Sequence, residues 1–466
     1  MATEQRLQFD RDLLRRYDVS GPRYTSYPTA PQFHEGFDAA SYAAAARASN
    51  QVDRPSPLSV YVHVPFCSNV CLYCACNKIV TANYSRAQEY LEHVFREIEL
   101  QAALFDDSRP VEQLHLGGGT PNYLRVEDLG RLVGKLREHF TLDDTDNREF
   151  SIELDPRDVD LDSIPRLAEL GFNRMSVGVQ DLNEEVQHAV HRVQSPELCR
   201  AIIEEGRRNG FRSTNVDLIY GLPKQTPESF ERTLDEIIEL RPERLAIYNY
   251  AHLPHLFKIQ RQINEDDLPG PEDKLTIFGR TIEKLTEAGY VFIGMDHFAL
   301  PDDELAVAQK EGTLQRNFQG YSTRAECDLI ALGSTSIGKI GNTYSQNVRE
   351  PAEYQERIAN GELAVFRGFE LSEEDVLRRE VIIEVMCHSR LDFAEVERRH
   401  GIDFNEHFAE ELERLDPLVE DGLIEISDRH LQVLPRGRLM LRHVAMAFDA
   451  YLEREATEGK RYSKVL

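Results

Sequence analysis

The stretch Ser59-Val-Tyr61-Val-His63-Val-Pro-Phe-Cys67-Ser-Asn-Val-Cys71-Leu-Tyr73-Cys74-Ala-Cys76 decides how the chain is read. Its first six residues form a short run rich in β-branched and aromatic side chains, which reads as a buried strand. Proline ends the run, and three cysteines follow, separated by three and then two residues. Thiolates at that spacing wrap a loop around a cubane iron–sulfur cluster. Each takes one iron, and the fourth iron is left open to a small molecule. Zinc is the competing reading. Structural zinc takes four closed ligands, usually as two separated pairs, and no second pair follows here. Cys76 is left over as a structural or reactive thiol near the loop. Cys199, Cys327 and Cys387 lie in apolar contexts and read as packed core thiols.

Five further strand-type runs follow: VEQLHL at 111–116, FSIEL at 150–154, RMSVGV at 174–179, TNVDLIY at 214–220 and RLAIYNY at 244–250. Helical periodicity fills the gaps, for example over 87–104, 126–140 and 227–240. Alternating strand and helix predicts right-handed βαβ units and a parallel sheet, an α/β fold. Six such units form an incomplete (β/α)6 barrel. In parallel α/β folds the loops after the strand C-termini carry the site, and the cysteine loop stands at such an end.

The chain has 466 residues, which predicts a catalytic domain with appendages. The expected division is an arm over 1–50 that covers the site, a barrel over 51–372 and a small, mostly helical domain over 373–466. The arm holds Gly21-Pro-Arg23-Tyr-Thr-Ser-Tyr-Pro28, an extended segment that must lie against something. Near the end, Gly422 to Val433 reads as a hairpin with its turn at Ser427–His430, in a winged-helix-like pattern read as a packing module. Lysine and arginine total 54 against 81 acidic residues, a net charge of −27, which argues against nucleic acid as a partner. Any anionic substrate must therefore meet a local cluster of cations. Seven cysteines, four of them within ten residues, suit a metal site in a reducing compartment better than a secreted disulfide framework. With no signal-like start and no long apolar run, a cytoplasmic protein without a membrane span is expected, and nothing demands more than a monomer.

Other residues carry readings of their own. Gly117-Gly118-Gly119 after the second strand lets the backbone approach a ligand and bare its N–H groups, and no phosphate-loop lysine follows. Glu153 ends a strand, where it can accept two hydroxyls such as a ribose presents; a surface carboxylate is the plain alternative. Gln180 ends the next strand. Asp217 interrupts an apolar run, which is costly unless it is paired or faces a site. Arg192 offers a fork for a carboxylate, or else is an exposed helical arginine. His63 is either a donor near the reacting groups or a satisfied core histidine.

The CxxxCxxC loop resembles the radical S-adenosylmethionine (SAM) superfamily. With Cys76, Tyr61-Val-His63-Val-Pro-Phe, Gly-Gly-Gly-Thr-Pro at 117–121 and Gly21-Pro-Arg-Tyr-Thr-Ser-Tyr-Pro-Thr29, the chain is similar to the oxygen-independent coproporphyrinogen III oxidase (coproporphyrinogen dehydrogenase) family. Asp217-Leu-Ile-Tyr-Gly-Leu-Pro-Lys, Gly294-Met-Asp-His-Phe-Ala and the ending Arg461-Tyr-Ser-Lys-Val-Leu fit as well. The resemblance implies a radical SAM barrel with one 4Fe–4S cluster on Cys67, Cys71 and Cys74, and two SAM molecules. Tyr61, Gly118, Glu153 and Ile337 match the binding positions of the first. Tyr73, Gly119, Thr120, Gln180, Arg192, Asp217 and Ala251 match those of the second. Tyr73 stands where the family often has phenylalanine, and a tyrosine still stacks on adenine.

The implied reaction uses a 5′-deoxyadenosyl radical to turn two propionates of coproporphyrinogen III into vinyl groups. The product is protoporphyrinogen IX, in haem biosynthesis. An electron donor and an electron acceptor, neither identified, complete it. Tyr61, His63 and Arg23 are the candidate catalytic side chains, with Lys78 as a second cation for the substrate. A haem-binding chaperone of the same family is the alternative; Cys76 and the GPRYTSYPT segment favour the enzyme. Another radical SAM activity, such as a methyltransferase, shares the site and differs in the pocket.

Overall fold

All six runs form strands in the computed structural model, which describes residues 7–324 and 326–452; the ending at 461–466 lies outside them. They are β1 (Leu58–Val64), β2 (Pro110–Gly118), β3 (Glu149–Leu154), β4 (Arg174–Gln180), β5 (Ser213–Tyr220) and β6 (Arg244–Asn249). They pair in parallel in the order of the chain, from β1 to β6. Each neighbouring pair is joined by a connection that contains a helix, as a right-handed parallel march requires.

The helices start where local chemistry starts them. Pro227–Leu240, between β5 and β6, begins with Pro227 in its first turn. The Thr226 and Ser229 side chains cap each other's backbone, and the helix ends on Arg241 in the left-handed region, at φ 49°. Periodicity placed helices over 87–104 and 126–140; they run Ser85–Ala102 and Val126–His139.

Beyond β1 the sheet continues with β7 (Asp328–Leu332), again parallel, and then with the antiparallel strands β8 (Ile337–Ile340), β9 (Thr343–Asn347) and β10 (Val365–Glu370). β1 is thus a central strand. Leu58, Val60 and Val62 are almost fully buried, as a strand covered on both faces demands.

Compactness divides the chain differently from the three consecutive segments expected. One unit holds residues 33–274 and 326–370, and carries the barrel strands and the cysteine loop. The other holds residues up to 32, 275–325 and 371 onward. Segment 275–325 joins the second unit through long-range packing. Gly279 lies against the Phe9 ring, and Gly294 lies against Tyr321 and the Met386 carbonyl, so close that neither glycine leaves room for a side chain.

The second unit is mostly helical, as predicted for the C-terminal region. Its core includes Phe393 stacked on Phe404 at 4.0 Å, with Phe408 and Phe448 around them. Two short helices, Phe404–His407 and Ala409–Arg414, meet at Phe408, whose ring packs in this aromatic core. The predicted hairpin forms from Ile424–Ile426 and His430–Val433, with Arg390–Asp392 as a third strand. The Gly21–Pro28 segment lies against this unit. Buried Arg442 donates to the Gly21 and Pro22 carbonyls, and the Tyr24 hydroxyl donates to Asp449 at 2.9 Å. No helix among the described residues is long and apolar enough to cross a membrane.

Candidate active site

The strand ends of the first unit surround a cavity of about 220 Å³. The loop thiols Cys67, Cys71, Cys74 and Cys76 line it, as do Tyr73, Lys78, Gly118, Gly119 and Thr120. Glu153, Gln180, Arg192 and Asp217 come to the same cavity from β3, from β4 and the loop after it, and from β5. Thirteen residues singled out by sequence therefore share one space.

Tyr61 and His63 stand behind that wall. On β1 the Tyr61 ring stacks on His115 of β2 with centroids 5.7 Å apart, and its hydroxyl meets His63 Nδ1 at 3.1 Å. The other His63 nitrogen meets the Asn77 carbonyl at 3.3 Å, and burial lowers the His63 pKa, which favours the neutral ring with both nitrogens partnered. The ring also explains a glycine. Gly118 has φ 119°, and a Cβ there would lie 2.7 Å from His63. Ile337 begins β8, and Ala251 follows β6; neither lines the cavity. Ala251 is nevertheless tied to it. Buried Gln260 donates to both the Tyr73 and the Ala251 carbonyls, at 2.9 and 3.3 Å. Arg23 belongs to the other unit, where its guanidinium forms an ion pair with Asp296.

Glu153 faces the cavity with 42 % of its side chain exposed. It accepts from the Gly118 amide at 3.3 Å and meets His115 Nε2 at 3.1 Å, which steadies it and leaves its outer edge open. Asp217 accepts from Ser176 and Asn215, both at 2.9 Å, and burial pushes its pKa up to about 6. Gln180 holds φ 67°, a conformation a non-glycine residue adopts only when its surroundings impose it.

The cysteine loop carries the densest set of charges. Asp155, just past β3, is buried and accepts from Arg157 at 2.6 Å and from Arg192 at 2.9 Å. Both guanidiniums also reach the Cys71 sulfur, Arg157 Nη2 at 3.2 Å and Arg192 Nη1 at 3.4 Å. The Thr120 hydroxyl donates to Cys67 sulfur at 3.4 Å. Burial alone would raise the Asp155 carboxyl; the Arg157 hydrogen bond and the two positive charges outweigh it and hold the group below its ordinary range. Cys74 is drawn down to about 5, first by a hydrogen bond from Cys76, then by the Lys78 charge against the cost of burial. Asp155, Arg157 and Gln260 had no assigned role in the sequence reading. Two opposite charges around a proline, Asp155-Pro-Arg157, are the one local hint.

These residues fit an iron–sulfur cluster and SAM. Donors are already aimed at all three sulfurs, the environment in which cluster thiolates are held. Among the described residues no group of three or more His, Cys, Asp or Glu side chains converges as a single ion would need. The three thiols instead line one cavity wall, where each can take its own iron. Arg192 Nε is a buried donor with no partner among the described residues, at the edge of a cavity that also offers bare backbone and open carboxylates. An amino-acid carboxylate would satisfy it.

Comparison with known proteins bears on the same residues. Residues 61–237 match the radical SAM superfamily, and residues 371–440 match the HemN C-terminal domain. The oxygen-independent coproporphyrinogen III oxidase of Pseudomonas aeruginosa is 50 % identical over 460 residues, 99 % of each chain. The protein of that name from Escherichia coli is 48 % identical over 463 residues, again 99 % of each. The solved structure of the Escherichia coli coproporphyrinogen III oxidase HemN, described as a radical SAM enzyme, superposes with a TM-score of 0.91 at 47 % identity, covering 96 % of this chain and all of that one.

Proposed function

The chain belongs to the oxygen-independent coproporphyrinogen III oxidases of the radical SAM superfamily, and we propose that it decarboxylates two propionates of coproporphyrinogen III to vinyl groups without oxygen, giving protoporphyrinogen IX. It is an enzyme of the radical SAM class, with a 4Fe–4S cluster and SAM as its cofactors. One observation carries the reading: three loop thiols, a bared glycine backbone and the Glu153, Asp217 and Arg192 side chains face a single cavity.

Cys67, Cys71 and Cys74 hold the cluster. The cluster and SAM, when bound there, would supply radical chemistry at the substrate propionate. The chain's own part is placement. Gly118 brings its backbone against the ligand because His63 occupies the space of a side chain. Glu153 offers carboxylate oxygens to ribose hydroxyls while His115 and the Gly118 amide fix its direction. Arg192 presents its free Nε–H to a methionine-type carboxylate while Asp155 and the Gly178 carbonyl, at 2.5 Å, hold the rest of its fork. Asp217 and Gln180 extend this set toward a second SAM, together with Tyr73, Gly119 and Thr120. Lys78, whose ammonium donates to the Cys74 carbonyl at 3.3 Å, is a cation at the loop for a substrate carboxylate.

The test is an anaerobic assay of reconstituted protein with dithionite, SAM and coproporphyrinogen III, followed by mass. Loss of two carbon dioxide units together with 5′-deoxyadenosine supports the reading. 5′-Deoxyadenosine without decarboxylation keeps the radical SAM class and rejects the substrate. Cluster-loaded protein that gives neither product and forms a stable haem complex rejects the enzyme reading.

A further inference from the structure

Cys71 differs from the other two loop thiols in one respect: its sulfur is the only one of the three that meets guanidinium groups among the described hydrogen bonds. Of the two, Arg192 keeps a buried Nε without a partner among the described residues, whereas the nitrogens of Arg157 are engaged. Its Nε and Nη2 grip Asp155 at 3.0 and 2.6 Å, its Nη1 donates to the His191 carbonyl at 3.1 Å, and Nη2 is shared with the sulfur. Such a guanidinium has little freedom to serve a passing substrate. Its position is also particular. Arg157 lines the site cavity on one side and, on the other, a second cavity of about 490 Å³ bounded by Asn69, Val70, His188, His191 and Val193. It forms a charged partition between the sulfur and that outer space.

Asp155 and Asp158, the latter accepting a hydrogen bond from Ser68, both face the two guanidiniums, so what sets Cys71 apart is direct donation from fixed cations to its sulfur. Adding an electron to a cluster makes it more negative, and a fixed positive charge hydrogen-bonded to a ligand sulfur favours that state. We propose that Arg157 is a positioning residue that raises the reduction potential of the cluster by donating to Cys71 sulfur, with Asp155 locking its fork, and so makes one-electron loading from the donor easier. This rests on the cluster reading above. No atoms are transferred: one electron passes from an external reductant to the cluster, and no proton or leaving group moves.

The experiment is an anaerobic EPR redox titration, poised with dithionite, of full-length reconstituted protein and of Arg157→Gln, Arg157→Lys and Arg166→Gln. Arg166 is a half-exposed arginine paired with Glu127 at 2.6 Å and removes one charge far from the sulfur. The expected result is a midpoint potential shifted downward in Arg157→Gln and by less in Arg157→Lys, which keeps the charge but not the fork. Arg166→Gln should titrate like the parent, and iron content should be equal throughout. If Arg157→Gln fails to hold iron, the Arg157→Lys shift decides. A parent-like potential in the Arg157 variants overturns the proposal while leaving the cluster reading intact. Absence of any reducible cluster in the parent overturns both.

Discussion

Two carboxylates buried in the same unit are handled in opposite ways. Glu97, on the helix Ser85–Ala102, is fully buried and meets only neutral donors: the Tyr354 hydroxyl, the Gly333 amide and the Asn347 amide group, each at 2.7 Å. Burial pushes its pKa up to about 7 in spite of those bonds. Asp155 is also buried, though it borders the site cavity, but it has two guanidiniums and is held below its ordinary value. The first region fixes a loop, since Gly333 and Ser334 follow β7 and the Tyr90 hydroxyl ties that loop to the His63 carbonyl. The second region holds a charge beside a sulfur. A buried acid answered by neutral donors acts as a peg, and one answered by cations acts as an electrostatic element.

The contrast is open to experiment. The largest effect belongs to the thiols beside Asp155. Changing Cys67, Cys71 or Cys74 to serine should reduce iron and sulfide to background and abolish turnover, while Cys76→Ser should retain iron; iron analysis after reconstitution decides. Next is the charge element itself. Asp155→Ala leaves two buried cations unanswered and should cost about 3–5 kcal/mol of stability, whereas Glu97→Gln, which loses part of one neutral network, should cost about 1–2 kcal/mol. Equal losses in thermal unfolding would erase the distinction.

A third test uses two strained glycines, one in each region. Gly118 at φ 119° and Gly333 at φ 93° both exclude a Cβ, and Gly333→Ala would place one 2.8 Å from the His63 carbonyl. Each alanine should cost about 1–3 kcal/mol. Only Gly118→Ala should also raise the KM for SAM, by roughly tenfold if about 1.4 kcal/mol of binding is lost. The smallest effect is in pH. Native Glu97 keeps its proton up to about pH 7, while the unfolded chain loses it near the ordinary glutamate value of 4.5. Stability should therefore fall as pH rises between those values, and Glu97→Gln should flatten that slope. The lowered Asp155 works in the other sense: its contribution is present above 3.8 and is lost as pH falls through its depressed folded value. Thermal unfolding followed from about pH 2 to 8 separates the two, with the Asp155 loss at the acid end and the Glu97 slope above 4.5.

The barrel and most of the cavity wall were legible in the sequence. The strands showed because each is a short apolar run closed by turn chemistry, and the cluster loop because ligand spacing is local. Of Asp155, Arg157 and Arg192 only Arg192 was legible, and only as a single residue. The partnership that matters joins a loop after β3 to a residue after β4 and to a thiol after β1, and no periodicity carries it. Gln260 was equally silent: a glutamine in a polar stretch gives no sign that it will be buried and clamp the Tyr73 carbonyl. The placement of 275–325 followed from packing against Phe9 and Met386, at sequence distances that alternation of strands does not report.

The order of strands also bears on how the protein is made. From β1 to β6 every strand pairs with the one synthesised just before it, so these contacts form over short chain separations. β1 is the exception: its second neighbour is β7, where Leu58 pairs with Asp328. Between the end of β1 at Val64 and the start of β7 at Asp328 the ribosome must add the whole barrel. At typical synthesis rates this takes roughly 15–50 s. During that interval the strand that bears the cysteine loop is the open edge of a growing sheet. Iron delivery that needs β1 held on both sides belongs after β7 emerges, late in translation or after release.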